Sequence, residues 1–545
     1  MSIGTDAAQI DPTDTIVIGA GFAGLYAVHE LTRNGFTVQA FETGGDVGGT
    51  WYWNRYPGAR CDVESLFYSY TFNGDLVKEW DWSERYATQP EILRYAEWVA
   101  NRLDLKRHFS FNTRVGCATF DERTSTWQIS TSGGRISRAK YLITAVGCLS
   151  ASSIPQFDGV ADFAGRLLHT GTWPHEPVDF TDQRVGVIGT GSSGIQAIPK
   201  IAEQAAHLTV FQRTPNYSLP ARNRPLYSDE RIAARKNRVE IREMVRKSAL
   251  GMVLPPGHSK IHEVPDEKRR AILERSWQGG GNLVLTSFND VVTDLESNEL
   301  VAQFVRKKIN TIVDDPRTAE ILTPVDYPIG AKRICIDTDY FATYNLPHVD
   351  LVDVRKDPIT GITAQGVETS QREFEFDTLV LATGYDGMTG PLTRIDIRGR
   401  AGVSLAERWR EGAKTYLGLS IAGFPNLFTI TGPGSPSVLV NMFAAIEQHV
   451  EWIINCLVDL RDQGVDQIEA DRAAQDTWSE HVNDVAAQTI FVHAKSWYRG
   501  SNIDGKAEVF LPYPGGLTAY RDKCDQVVAA GYEGFTLRTR GGTGN

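Results

Sequence analysis

Cysteine is scarce in this chain: six in 545 residues, at positions 61, 117, 148, 335, 456 and 524, and never in a C-x-x-C or C-x-x-x-x-C pair. That distribution excludes a disulfide framework and a redox dithiol, and leaves scattered free thiols. Long apolar runs are missing too. None approaches the roughly 18 residues that a membrane-spanning helix needs. Positive charge is in deficit, with 56 Lys and Arg against 67 Asp and Glu and a net charge of -11. A broad surface for nucleic acid or anionic lipid is therefore excluded, and any anionic ligand must be held by local cations. The opening "MSIGTDAAQIDPT" has neither the basic start nor the apolar stretch of a secretory signal, so a cytoplasmic enzyme is expected. His258 and His262 in "HSKIH" stand four apart, as helical metal ligands can, but Pro255, Pro256 and Gly257 precede them and no third ligand cluster follows. No metal site is expected.

What is present is a large globular chain, 41% hydrophobic and 23% charged, long enough for two or three domains. Residues 14 to 42, "DTIVIGAGFAGLYAVHELTRNGFTVQAFE", read as strand, glycine turn, helix and second strand. Gly19 and Gly21 permit the turn and the approach of a pyrophosphate to the helix start, Gly24 lets helix pack on strand, and Glu42 is placed to bind a ribose hydroxyl. The pattern recurs at 184 to 215, "RVGVIGTGSSGIQAIPKIAEQAAHLTVFQRTP", with Gly189, Gly191 and Gly194 at the same offsets. Its second strand ends in Gln212, Arg213 and Thr214, and a cation in place of the acid suits a ribose 2'-phosphate. Two unlike loops imply two nucleotides, most simply FAD first and NADPH second.

The expected fold is α/β, with two dinucleotide-binding, Rossmann-like domains and a helical insertion. "AKYLITAVG" and "FDTLVLATGYD" read as strands where the chain crosses between them. The division expected is 1–150 for the first part of the FAD domain, 151–225 for the first part of the NADPH domain and 226–325 for the insertion. Residues 326–386 then complete the NADPH domain and 387–545 the FAD domain. In the insertion, Val301, Val305, Ile309 and Ile312 recur at helical spacing opposite Arg306, Lys307 and Lys308, which are expected to form a solvated face.

Between the two glycine loops runs "FAGRLLHTGTWPH", which fits F-x-G-x-x-x-H-x-x-x-W-P with Phe163, Gly165, His169, Trp173 and Pro174. "GGTWYWNRYPGARCD" fits a second signature, G-G-x-W-x-x-x-x-Y-P-G-x-x-x-D, with Gly48, Gly49, Trp51, Tyr56, Pro57, Gly58 and Asp62. By these motifs, and over nearly its whole length, the chain resembles the type I Baeyer–Villiger monooxygenases, in particular their phenylacetone and steroid monooxygenase branch. The resemblance implies an FAD- and NADPH-dependent enzyme that inserts one oxygen atom from O2 next to a ketone carbonyl, through a C4a-peroxyflavin, to give an ester or lactone. It implies a catalytic Arg333 in "IGAKRICID", which stabilises anionic oxygen, and Asp62 as the acid that positions it. His169 is not needed as a base, and a hinge role between domains suits it better.

By the same resemblance, flavin contacts fall on Glu42, Thr50, Trp51, Trp53, Asp62, Tyr68, Val115 and Met442. Those to NADP fall on Arg60, Thr190, Gly191, Ser192, Ser193, Gln196, Arg213, Thr214, Lys332, Arg333 and Trp497. Val438 and Leu439 in "GPGSPSVLVNM" are placed to line a pocket for a hydrophobic ketone. A monomer or weak oligomer is expected. Two alternatives stay open: a related flavin monooxygenase acting on nitrogen or sulfur nucleophiles, and a flavin-binding redox sensor without chemistry.

Overall fold

In the computed structural model, residues 13–539 are described; the polar opening segment lies largely outside them. Thr13–Ile18 is central to an eight-stranded sheet, parallel to Val38–Phe41 on one side and Ile136–Thr144 on the other. Ile16 and Val17 have no exposed surface, as in a sheet covered on both faces. Ile136–Thr144 is long enough to serve twice. Its later residues pair with Thr13–Ile18 and with Leu427–Thr429, while its earlier ones run antiparallel to Thr126–Thr131. Asp396–Arg398 joins the same sheet beside Val115–Asp121.

A second, five-stranded sheet is parallel throughout, in the order Val349–Asp353, His207–Gln212, Arg184–Ile188, Thr378–Leu381, Arg166–His169. The chain thus leaves the first sheet after Thr144, builds the second between residues 166 and 381, and returns to the first at Asp396. Both crossing segments read from the sequence are strands that end at the carboxyl edge of a sheet.

The helical stretch between the halves of the second sheet divides. Asp266–Gly279 and Leu295–Ile312 complete the core of the second sheet, where Trp277, Val301, Val305 and Ile309 are buried with Val185 and Ile198. Asp294 starts the longer helix by accepting the Ser297 N–H at 2.8 Å. The preceding pair, Ser228–Lys236 and Arg238–Arg246, leans on the first unit instead. Val245 is buried against Val440, Ala444 and Leu517, and Arg246 meets Glu451 at 3.1 Å.

The cationic face expected to be solvated is only partly so. Arg306 donates to the Tyr217 hydroxyl at 2.9 Å, and Lys308 reaches Glu274 at 2.6 Å. Sequence periodicity marks which face is apolar, but not which neighbour arrives over the polar one.

Candidate active site

The two glycine turns are built alike. In the first, Gly19 has φ +108°, and a Cβ there would lie 2.5 Å from the Ala145 carbonyl oxygen. A Cβ at Gly24 would sit on the Gly19 carbonyl, and one at Gly194 would sit on that of Gly189. The first and third glycines are therefore fixed by packing. The middle ones differ: a Cβ at Gly191 would meet nothing within 4 Å, and one at Gly21 would meet only Gly49 backbone, at 3.5 Å or more. That leaves the first turns of helices Phe22–Arg33 and Ser192–Ala202 open at their N–H groups, the donor set a pyrophosphate requires. The residues present fit two dinucleotides.

Glu42 ends its strand buried and accepts N–H groups from Ala20 at 2.7 Å and Gly44 at 2.6 Å. Burial raises its pKa despite these bonds. The one-turn helix Thr50–Trp53 begins at Gly49 beside Gly21, which sets Trp51 next to the first turn. Trp51 donates to the Tyr68 hydroxyl at 3.1 Å, and the Tyr68 ring stands edge-on to Phe22. Thr50 is exposed, Trp53 half-buried and Val115 buried at the start of its strand. Met442 opens the helix Met442–Asp462.

At the second turn, Thr190 donates to the Thr214 carbonyl at 3.3 Å, and Ser192 meets the Cys335 thiol at 3.4 Å. Arg213 is exposed at the end of its strand. Lys332 lies 4.2 Å over the Tyr327 ring, and its pKa is lowered by burial first and by the Arg213 charge second. Two cations converge there, an arrangement that an anion between them relieves. Gln196 and Arg60 are engaged with the protein itself. Gln196 accepts from Tyr56 at 2.8 Å and donates to the Arg60 carbonyl at 3.1 Å, and Arg60 pairs with Glu84 at 3.0 Å. These bonds seat the 56–60 loop on the second glycine helix.

Arg333 and Asp62 meet although 271 positions apart. Arg333 Nε donates to Asp62 Oδ2 at 2.7 Å and a terminal nitrogen to Oδ1 at 2.8 Å, a two-pronged pair. The other terminal nitrogen donates to the Val438 carbonyl. Burial pushes the Asp62 carboxyl up, but the charge of Arg333 and its hydrogen bonds together outweigh this and hold it below its usual value. Burial alone would lower Arg333, yet the Asp62 charge raises it, so the guanidinium does not titrate. Its side chain stays 30% exposed, so it is anchored yet reachable.

Val438 reaches this centre through its backbone, since its side chain is buried; Leu439 is half-buried. Tyr498 was not marked by the sequence. It is buried, and its pKa is pushed up to about 12 by burial against the lowering effect of Arg333 beside it. Its neighbour Trp497 was marked, and a Cβ at Gly387 would lie 2.9 Å from that indole. Lys506 pairs with Asp386 at 2.6 Å, which ties the segment after Trp497 to the returning crossover.

The signature segment is structural in detail. Arg166–His169 is the edge strand of the second sheet, with His169 level with Leu381. His169 Nδ1 accepts the Gly171 N–H at 2.9 Å, and Nε2 lies 3.3 Å from the Thr383 hydroxyl. Because Thr383 donates its proton to the Ser153 carbonyl at 2.7 Å, His169 must be the donor at Nε2. Both nitrogens are committed, and burial lowers the ring's pKa. A neutral imidazole thus clamps the outgoing and returning crossovers together.

Just past Arg333, Asp337 is buried and, among the described residues, forms no ion pair. It accepts from the Ser218 hydroxyl at 2.5 Å and the Tyr340 N–H at 3.2 Å, and burial pushes its pKa up to about 6. A raised carboxyl pKa means that the folded state binds the proton more tightly, so stability falls as pH rises from 3.8 and the loss is complete above 6. Asp337→Asn is expected to gain on the wild type by about 1.4 kcal/mol between pH 5 and pH 8 in urea unfolding. A pH-independent difference shows that this acid does not titrate there.

Among the described residues no group of three or more His, Cys, Asp or Glu could hold a metal, and no helix is long and apolar enough to cross a membrane. His258 is in a loop and His262 in the short turn Ile261–Glu263, not on one helix face.

Residues 16–271 match the family model described as pyridine nucleotide-disulphide oxidoreductase. All six cysteines are free, so the likeness lies in the nucleotide-binding part and not in disulfide chemistry. Over 524 residues the chain is 42% identical to a Baeyer-Villiger monooxygenase of Pseudooceanicola batsensis, covering 95% of each. It is 41% identical over 531 residues to a phenazine N-monooxygenase of Lysobacter antibioticus, covering 96% of this chain and 97% of that one. Among solved structures, oxidized steroid monooxygenase bound to NADP is 48% identical, with a TM-score of 0.92 over 97% of this chain and 100% of that one.

Proposed function

Since the chain belongs to the Baeyer–Villiger monooxygenases, FAD- and NADPH-dependent enzymes that insert one oxygen atom from O2 beside a ketone carbonyl, we propose that Arg333 and Asp62 form its reaction centre. The observation that carries this reading is the two-pronged pair itself, held where segments 62, 333 and 438 converge. FAD, when bound, takes hydride from NADPH and carries the oxygen that is transferred. Attack on a ketone carbonyl puts negative charge on its oxygen. Arg333 presents fixed N–H donors to such charge, and Asp62 prevents the guanidinium from swinging away. Val438 steadies the third side of the fork.

In the same reading, the first sheet with Gly19, Gly21, Gly24 and Glu42 holds FAD, with Thr50, Trp51, Trp53, Tyr68, Val115 and Met442 around it. The second sheet, with Gly191, Gly194, Ser193 and Thr214, holds NADPH. Arg213 and Lys332 take the 2'-phosphate, and Trp497 covers the nicotinamide side. Gln196 and Arg60 act there through the loop they seat. Leu439, half-buried beside the Val438 carbonyl, favours an apolar ketone. A cytoplasmic location, supported by the free cysteines, and a monomer or weak oligomer belong to the same proposal.

The second reading, oxidation of a soft nitrogen, is favoured by the likeness to a phenazine N-monooxygenase. One assay separates the two. Holoenzyme with NADPH and O2 is offered cyclic and aryl ketones, tertiary amines and aromatic N-heterocycles, and products are identified by mass spectrometry. Esters and lactones are expected from the ketones. N-oxides without any ester establish the second reading instead.

A further inference from the structure

Away from the reaction centre, a cavity of about 330 Å³ opens where Ser228–Lys236 and Arg238–Arg246 lean on segment 66–82. Its inner wall is aromatic, with Tyr70, Phe72, Trp80, Trp82 and Tyr95, and the last three rings are in mutual contact. The facing wall carries Arg231, Arg235, Arg238 and Arg242, against only two carboxylates, Asp81 and Glu243. Those acids are already engaged, Asp81 by Arg235 and Glu243 by Lys247 at 3.9 Å. Arg242 pairs with Glu451 at 3.3 Å. Arg231 and Arg238 are half-buried and have no acceptor among the described residues. Three further donors on these walls, Trp80 Nε1, Arg235 Nε and Arg242 Nε, are buried without an acceptor. A buried donor left unpaired is destabilising, so a wall with several of them favours whatever brings an acceptor.

We propose that this cavity is a second binding site, for a small organic carboxylate, with its anionic end on Arg231 and Arg238 and its apolar body against Trp80, Trp82 and Tyr95. Guanidinium forks match a carboxylate in plane, and the aromatic wall takes a chain or ring. Inorganic phosphate has no apolar body to lay on that wall, so a carboxylate carrying a chain or ring is favoured over it.

The test titrates octanoate into the FAD-loaded enzyme by calorimetry, with octan-1-ol and inorganic phosphate as controls. Saturable one-site binding of octanoate is expected, at least ten-fold tighter than either control and unaffected by saturating NADP+ or ketone. R231A/R238A should weaken it at least ten-fold with ketone turnover unchanged, and R231K/R238K, which keeps the charge but loses the fork, should restore only part of it. If the alanine pair unfolds less cooperatively, R231Q/R238Q takes its place. No saturable binding at millimolar octanoate, equal binding by the variant, or displacement by the ketone overturns the proposal.

Discussion

Arg333→Ala is expected to take up FAD and oxidise NADPH, while ester formation from a ketone falls by at least about 10²–10³-fold. The variant removes three directed N–H bonds at once, two to Asp62 and one to the Val438 carbonyl. None of these belongs to the two glycine turns, so nucleotide binding should persist. The deficit should sit in kcat for ester, and NADPH oxidised without product should appear as hydrogen peroxide. Arg333→Lys keeps a charge but has a single point of donation in place of the fork, so it should recover little. Asp62→Ala should lie between, because the cation remains but is held only by Val438. Ester formation by Arg333→Ala at the wild-type rate removes Arg333 from the reaction centre.

The two glycine turns were legible in the sequence, and the reason is local. A glycine turn between a β-rich run and a helix is set by residues within thirty positions, and so is the charge that ends the second strand. The pairing of Arg333 with Asp62 across 271 positions came from family resemblance, since either residue alone is an ordinary loop charge. The Val438 carbonyl could not be read at all, because a backbone group carries no sequence signal. Tyr498 stood beside a marked tryptophan, but only the fold turns its ring toward Arg333. His169 shows the opposite case. It stands in a signature motif, and the hydrogen bonds show a clamp between crossovers, a task for which a neutral imidazole with one donor and one acceptor is suited.

Arg213→Ala is expected to raise the KM for NADPH about ten-fold and to leave that for NADH nearly unchanged, and the double variant with Lys332→Ala should reach about a hundred-fold. A hydrogen bond to a charged group contributes about 1.5–3 kcal/mol, and 1.4 kcal/mol is a factor of ten; Arg213 is exposed, so the lower end applies. The pair adds a pH signature that a merely structural cation would not give. Lys332 has its pKa lowered by burial and then by Arg213, so it loses its charge at a lower pH than a free lysine does. Once neutral it no longer attracts a phosphate, and NADPH affinity should therefore fall on the alkaline side while NADH affinity does not. Removing Arg213 lifts one of the two causes, so the alkaline fall should move to higher pH in Arg213→Ala even as affinity at neutral pH drops. Steady-state KM values for both nucleotides between pH 7 and pH 10 measure both effects together. Parallel losses for NADPH and NADH, with an unmoved alkaline limb, place the 2'-phosphate somewhere other than between these two cations.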